Sequence, residues 1–431
     1  MKWLYDFAFL MFAIVSLPKF LIRLGQAESS GRLICERFGR LRPDLRAQFG
    51  GRKVLWLHAV SVGEVMAVTP WIRLFLSEYP DWAIALSTTT PTGQAVAQTI
   101  DSGRIITFYA PFDLSFSVRR ALRQINPGLI LLVETEIWPN LISEAHRQGI
   151  PIGIVNGRIS RRSFRRYMWI RAWISALLTK LSFCFVQSGE DGDYFRRLGM
   201  PAGSILETGN MKFDRSEDDA VNLNMSGTRS GELVFVAGST NWNEEESVLN
   251  VFRRLKEKIP ALRLVLAPRH PEQLFRVRRA IQNQGLRFRL YSENHWDSDS
   301  PVLLVDQMGV LASLYSIADI VFIGGSLIPK RGGQNPVEAA LLRKPVLHGP
   351  NVFNFGQVYR KLDEQGAAFT VRTEEELYQK SKLLLDDPAL RERMGMHAWS
   401  TIQTMKGATT RTLEHLARWM KQEAPRVSLP I

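Results

Sequence analysis

Several groups of residues in this chain have the types and spacing to do chemistry. Glu64 stands three residues after Ser61, just past the apolar run 54–60 (VLWLHAV). Ser-x-x-Glu is a capping box, in which the carboxylate ties down a helix start. A carboxylate at a strand end can also take a proton from an attacking hydroxyl. Glu134 and Glu136 follow the run 129–133 (LILLV), where an ionised group needs a partner. Arg158, Arg161 and Arg162 are available as structural ion-pair partners; support of a transition state is the other use of such a carboxylate. Lys212, in the segment GNMKFD (209–214), is either a solvated lysine near a connection or a cation that offsets charge on a departing phosphate. Arg269 follows LRLVLAP (262–268), where its planar fork suits a pair of phosphate oxygens and His270 serves to orient it.

The stretch 320–340 (IVFIGGSLIPKRGGQNPVEAA) adds a ligand-type loop. Its apolar run breaks into Gly324-Gly325-Ser326, and Asn335-Pro336-Val337-Glu338 follows with a helix-start signature: Asn335 to cap, Pro336 at the first helical position and Glu338 in the capping-box place. A strand that ends in glycines and delivers a helix N-terminus suits a phosphate or a ribose. Capping and ligand binding are compatible here, and Glu338 has a carboxylate to offer ribose hydroxyls. Met308-Gly309-Val310 likewise reads as a helix opening with free N–H groups, or as a plain loop-to-helix turn.

These residues need rigid elements behind them. Short apolar runs at 54–60, 82–89, 129–135, 150–157 and 182–188 alternate with amphipathic segments, as do runs at 232–240, 262–270, 302–306, 319–325 and 344–350. Strands alternating with helices of this length predict doubly wound parallel sheets, two in succession, with ligands at the carboxyl ends of the strands. The polar, apolar-poor stretch 213–231 reads as the connection between them.

At 431 residues there is room for two or three domains, and 45% hydrophobic with 23% charged residues is a globular composition. The net charge of +13 suits nucleic acid, an anionic membrane surface or acidic substrates without choosing among them. Cys35 and Cys184 are the only cysteines, so no disulfide framework is implied, and no Cys/His spacing fits zinc. The N-terminal stretch 4–24 is mostly apolar but is interrupted by Asp6, Pro18, Lys19 and Arg23, and its run 7–17 is short of the about 20 residues a spanning helix needs. Its basic flank (Lys19, Arg23, Arg32, Arg37, Arg40, Arg42) predicts attachment to the cytoplasmic face of a membrane, with a buried core helix as the alternative. Arg158, Arg161, Arg162, Arg165, Arg166 and Arg171, interleaved with Phe164, Tyr167, Trp169 and Trp173, form the densest basic-aromatic block. It reads as a solvated helix face or as a contact with a membrane or lipid phosphate; nucleic acid would use similar residues.

Several motifs, in this order, resemble the lipid A Kdo transferases (3-deoxy-D-manno-octulosonic acid transferases). They are HAVSVGE (58–64), TPTG (90–93), ETEIWPN (134–140), GNMKFD (209–214), APRHP (267–271), GGS (324–326), GQNPVEAA (333–340) and GPNVFNF (349–355). One departure is Gln307 and Val310, where the family often carries Thr and Glu; backbone contacts from Met308 and Gly309 survive that change.

The resemblance implies an α/β GT-B glycosyltransferase, with two Rossmann-like lobes facing a central cleft and an N-terminal membrane-associated helix. The implied layout is an anchor at 1–27, an acceptor domain at 28–212, a linker at 213–231, a CMP-Kdo-binding domain at 232–405 and a C-terminal helix and tail at 406–431. The implied reaction moves Kdo from CMP-Kdo to a lipid A precursor (lipid IVA) with inversion. It uses no metal or other cofactor and no nucleic-acid partner, and runs at the inner membrane with the catalytic domains on the cytoplasmic side. Glu64 becomes the general base, its pKa held down by the helix N-terminus. Glu134 and Lys212 complete the catalytic set, with Glu136 structural. Pro268, Arg269, Met308, Gly309, Val310, Asn335, Pro336, Val337 and Glu338 contact CMP. The alternatives are another GT-B transferase that uses a UDP-sugar, and a non-catalytic basic protein that binds membrane or nucleic acid.

Overall fold

Runs of apolar residues that are buried on both faces belong in a parallel sheet with helices on either side, and two stretches of the chain fold this way. The computed structural model describes residues 5–6, 11, 30–42, 44–100, 103–214, 231–241, 243–270 and 274–423. Its contacts divide the chain into one unit of residues 1–215 with 406–431, and a second of residues 216–405.

The first unit holds seven strands: β1 (Lys53–His58), β2 (Trp82–Thr88), β3 (Ile105–Tyr109), β4 (Leu129–Val133), β5 (Ile152–Gly157), β6 (Phe183–Val186) and β7 (Ile205–Glu207). All pair in parallel, in the order β3-β2-β1-β4-β5-β6-β7. Alternation along β1 builds two cores. Leu55 and Leu57 join Val65, Val68, Trp71 and Phe75 of the helix Val62–Glu78 on one face. Trp56 joins Val118, Leu122, Leu141 and Ile142 on the other. The C-terminal helix Ala408–Glu423 returns to this unit, where Leu413 and Leu416 enter the core of Leu55 and Trp71. Asp214 fastens the return: its carboxylate accepts the Gly407 N–H at 2.6 Å and the Thr409 N–H.

The second unit holds β8 (Leu233–Thr240), β9 (Leu262–Pro268), β10 (Phe288–Leu290), β11 (Val302–Leu304), β12 (Ile320–Ile323), β13 (Val346–His348) and β14 (Ala368–Thr370). The order is β10-β11-β9-β8-β12-β13-β14, again parallel. Each sheet is thus wound outward from its first strand in both directions. That puts a topological switch point between β1 and β4 in the first unit and between β8 and β12 in the second; loops diverge there and leave a crevice at the carboxyl ends.

The short outer strands β3, β7, β10 and β14 are additions to the sequence-based expectation. The expected anchor at 1–27 lies outside the described residues apart from Tyr5, Asp6 and Met11, and the expected connection at 213–231 does too for residues 215–230. Asp6 is tied to the first unit: it accepts from Ser115 Oγ at 2.6 Å, Ser115 N at 3.2 Å and Asn140 Nδ2 at 2.7 Å. The Tyr5 ring stands 5.8 Å from that of Trp173. Among the described residues no helix is long and apolar enough to cross a membrane.

Candidate active site

The first switch point is built around Glu64. Ser61, in an extended conformation, ends the loop after β1 and caps the helix Val62–Glu78, its Oγ accepting the Glu64 N–H at 3.4 Å. The Glu64 carboxylate closes the box, with Oε1 accepting from Ser61 Oγ at 2.9 Å and Oε2 accepting the Val60 N–H at 2.7 Å. The capping role is therefore real, and it also fixes a carboxylate that is only 8% exposed. Burial, and after it the nearby charge of Glu134, pushes the Glu64 carboxyl up to about 7, against the two hydrogen bonds that favour the ionised form. The expected depression by the helix N-terminus is overturned, because desolvation and like charge outweigh a dipole effect at one turn.

Glu134 is the first residue past β4 and takes a left-handed backbone conformation (φ 61°). Such a conformation is costly for a residue with a side chain, and persists where its surroundings impose it. Here the Glu134 N–H still donates to Val155 O on β5 at 3.0 Å while the chain turns off the sheet. Glu134 Oε1 accepts from Lys212 Nζ at 2.6 Å, and both side chains keep about a fifth of their surface or more in solvent (20% and 24%). Lys212 sits on the short turn Met211–Phe213, held by Asn156 Oδ1, which accepts the Met211 N–H at 3.1 Å, and by Asn210 Oδ1, which accepts the Lys212 N–H at 2.9 Å. Glu136 accepts from the Trp138 indole N–H at 2.7 Å, and burial raises its pKa. Glu134 is thus held by Lys212 and Glu136 by Trp138, partners additional to the Arg158, Arg161 and Arg162 that the sequence offered. The Trp138 ring meets His58 edge-on at 4.6 Å, and burial keeps His58 neutral by lowering its pKa to about 3.

The basic-aromatic block divides. Phe164 is core, stacked on Tyr194 at 4.4 Å with the Arg197 guanidinium over its ring at 4.7 Å, and Arg171 Nε donates to Arg197 O at 2.8 Å. Trp169, at the end of the helix Arg161–Trp169, is 90% exposed.

In the second unit the expected CMP contacts all stand at or after the carboxyl ends of strands. Pro268 ends β9; Arg269 is exposed, and its N–H donates to Thr240 O at 2.8 Å. Met308 is exposed and Gly309 is left-handed (φ 86°), but the helix begins later than expected, at Leu311, with Val310 as its cap. The helix after β12 is also shorter than expected. Pro336 occupies the cap position and the helix runs Val337–Leu341, because Asn335 Oδ1 takes the Val337 N–H at 3.1 Å in a tighter turn. Glu338 Oε1 is 3.5 Å from Asn335 Nδ2, so these two side chains face one another.

A residue missed by sequence reasoning organises this end of the sheet. Glu244, 1% exposed in the first turn of the helix Glu244–Lys258, accepts four backbone N–H groups: Asn241 at 2.9 Å, Gly325 at 2.6 Å, Ser326 at 3.0 Å and Leu327 at 2.9 Å. The amides of the glycine loop, which the sequence offered to a phosphate, are therefore already taken by a carboxylate of the protein. Gly324 permits this, since a Cβ there would lie 2.4 Å from Thr240 Cα. The Asn241-x-x-Glu244 spacing was a signal for capping; its wider reach was not. Next to it, burial pushes the Glu245 carboxyl up to about 7. Among the described residues no group of three or more His, Cys, Asp or Glu side chains is placed to hold a metal ion.

The family model described as 3-Deoxy-D-manno-octulosonic-acid transferase (kdotransferase) matches residues 33–215. A 3-deoxy-D-manno-octulosonic acid transferase of Haemophilus influenzae is 34% identical over 374 residues, covering 85% of this chain and 87% of its own length. One of Bordetella pertussis is 31% identical over 89% of this chain and 91% of its own. Among solved structures, a UDP-N-acetylglucosamine 2-epimerase superposes with a TM-score of 0.62 at 17% identity, covering 88% of this chain and 98% of that one. A glycosyltransferase from Rickettsia africae gives 0.60 at 13%, covering 86% and 98%. Identities this low show the fold alone, which is the GT-B class of two Rossmann-like domains.

Proposed function

The chain belongs to the 3-deoxy-D-manno-octulosonic acid transferase family, and from that premise we propose that Glu64 is the general base of a Kdo transfer from CMP-Kdo to a lipid A precursor. It is a glycosyltransferase of lipopolysaccharide core biosynthesis. The observation that carries the residue assignment is the buried Glu64 carboxyl, pushed up to about 7 beside the Glu134–Lys212 pair. A pKa near working pH makes a carboxylate a better proton acceptor than an ordinary one.

In this reading the acceptor hydroxyl gives its proton to Glu64 as its oxygen bonds to the anomeric carbon of Kdo. The bond from that carbon to the CMP phosphate oxygen breaks, and one displacement inverts the centre. Proton uptake at Glu64 relieves its repulsion with Glu134, so the site favours the protonated product of the step. Lys212 neutralises Glu134 and supplies positive charge as CMP departs. Arg269 and the Asn335–Glu338 turn, with Pro268 and the Met308–Val310 loop, hold CMP. Arg269 is exposed, so its side chain can be reached by a ligand.

The enzyme works at the inner membrane, with its catalytic units on the cytoplasmic side. Support comes from the net charge of +13, the exposed Trp169 among arginines, and the apolar, basic-flanked sequence of the N-terminal stretch.

The test is incubation of the purified protein with CMP-Kdo and lipid IVA, with product mass read in Kdo increments. Transfer is expected from CMP-Kdo and not from UDP-sugars. A protein that binds UDP in preference to CMP, or that adds no Kdo, would sink the reading.

A further inference from the structure

Glu64 takes one of its hydrogen bonds from a residue that is itself gripped from behind. The Val60 N–H donates to Glu64 Oε2 at 2.7 Å. On the other side of the same residue, the Val60 carbonyl accepts twice from Thr89, from its N–H at 3.2 Å and from its Oγ1 at 3.0 Å. Thr89 is the first residue past β2, the strand that pairs with β1. Its hydroxyl therefore ties one strand end to the next, where a threonine side chain more often bonds within its own turn.

Behind Thr89 is Arg37, the last residue of the helix Ser30–Arg37. Its place in the chain put it in the basic flank of the apolar N-terminal stretch, but it is turned inward and only 8% exposed. Arg37 Nη2 donates to Thr89 O and Nη1 to Ala110 O at 2.9 Å, so one fork joins the residues that follow β2 and β3. The Arg37 carbonyl accepts the Phe112 N–H at 2.7 Å, and the guanidinium lies 5.5 Å from the Phe112 ring centre and 5.8 Å from that of Tyr109. Burial lowers the Arg37 pKa to about 10, which leaves it a cation at neutral pH. A buried cation is costly unless hydrogen bonds answer it, and the planar guanidinium suits two fixed acceptors.

The hydrogen bonds thus run in series: Arg37 to Thr89, Thr89 to Val60, Val60 to Glu64. The charges that act on Glu64 are those of Glu134 and Glu136, past β4, and Glu134 is paired with Lys212. A change at Thr89 reaches Glu64 by way of Val60. A carboxylate that accepts an N–H has its ionised form favoured, so the placing of Val60 bears on when Glu64 holds a proton.

We propose that Thr89, backed by Arg37, is a positioning residue for the general base: it holds Val60 so that the N–H stays on Glu64 and keeps the carboxylate ionised for the reaction. The proposal rests on the reading of Glu64 as the base given above.

The variants are Thr89→Val, which keeps the shape without the hydroxyl, Thr89→Ser, which keeps the hydroxyl, and Arg37→Lys, which keeps a cation without the fork. Kdo transfer is followed by product mass across the acid limb of kcat/KM, with KM for both substrates and Tm for each protein. In Thr89→Val the acid limb should move up by about half a pH unit to one unit, the range of one neutral hydrogen bond. Its kcat/KM should be about threefold to tenfold below wild type at the acid end and meet it at the alkaline end, where Glu64 is ionised in both. Thr89→Ser should return the limb to its wild-type place, and Arg37→Lys should move it the same way as Thr89→Val. The two Thr89 variants decide the matter even where Arg37→Lys does not fold. An equal loss at every pH, or a raised KM with the limb unmoved, would show packing or a direct substrate contact and overturn the positioning role. If Glu64→Gln transfers Kdo like the wild type, the base falls and its positioning with it. An inactive Glu64→Gln beside an unmoved limb in Thr89→Val overturns the positioning alone.

Discussion

The two switch points solve the same local problem with the same residue type and use the result differently. After the first strand of each sheet, a helix begins with a glutamate that reaches back over its own N-terminus: Glu64 in the first unit, Glu244 in the second. Glu244 is saturated by four backbone N–H groups, three of them from the loop after β12. Glu64 has one backbone N–H and one hydroxyl, and its neighbours are carboxylates. A carboxylate whose oxygens are fully used is a structural rivet. One left under-satisfied and under repulsion can exchange a proton. The difference lies not in the glutamate but in what the loop across the switch point brings: N–H donors from Gly325–Leu327, or the Glu134 side chain.

The sharpest way to break this comparison is Glu64→Gln. Transfer should fall by about a hundredfold to ten-thousandfold, the usual span for a positioned general base, while CMP affinity by calorimetry stays at the wild-type level. Glu244→Ala should do the reverse in kind. It strands four buried N–H groups and should lower unfolding free energy in urea by roughly 3 kcal/mol or more, with Glu244→Gln intermediate. If Glu244→Ala unfolds like wild type, the rivet is wrong.

Lys212→Met comes next: kcat should drop about tenfold to a hundredfold. Its stability should change by less than about 1 kcal/mol, since the Glu134 pair is partly solvated. A gentler effect concerns pH. With the folded-state pKa of Glu64 about 7, kcat/KM should fall with unit slope as pH drops below about 7. The sign for stability is opposite. The folded state binds the Glu64 proton more tightly than the unfolded chain, whose carboxyl has the ordinary value of 4.5, so this contribution is present at low pH and lost as pH rises from about 4.5 to about 7. Glu64→Gln should therefore melt higher than wild type above pH 7. A variant that melts lower there would contradict the assigned shift.

Much of the scaffold could be read from the chain. The helices Gly189–Leu198 and Glu244–Lys258 begin and end where their signals put them. Ser188 caps the first and left-handed Gly199 stops it, and three glutamates fill the first turn of the second. Central strands such as β1 and β9 were legible because burial on both faces demands unbroken apolar runs. The outer strands β3 (IITFY) and β10 (FRL) were not, since one partner strand and partial exposure leave short mixed sequences. Glu64, Glu134 and Lys212 could be named as candidates from their places after strands. That Glu134 and Lys212 meet across 78 positions could not be derived from those places.

Sequence alone determined what is local: the alternation that gives two parallel sheets, and the capping box of Ser61 and Glu64. These depend on residues within a turn or a strand of one another. Tertiary structure decided everything that depends on distant partners. It raised the Glu64 carboxyl instead of lowering it, because desolvation and the Glu134 charge act only once β1 and β4 lie side by side. It gave the glycine-loop amides to Glu244, some eighty positions away. Solvation and long-range charge are properties of the assembled sheet, and no spacing along the chain encodes them.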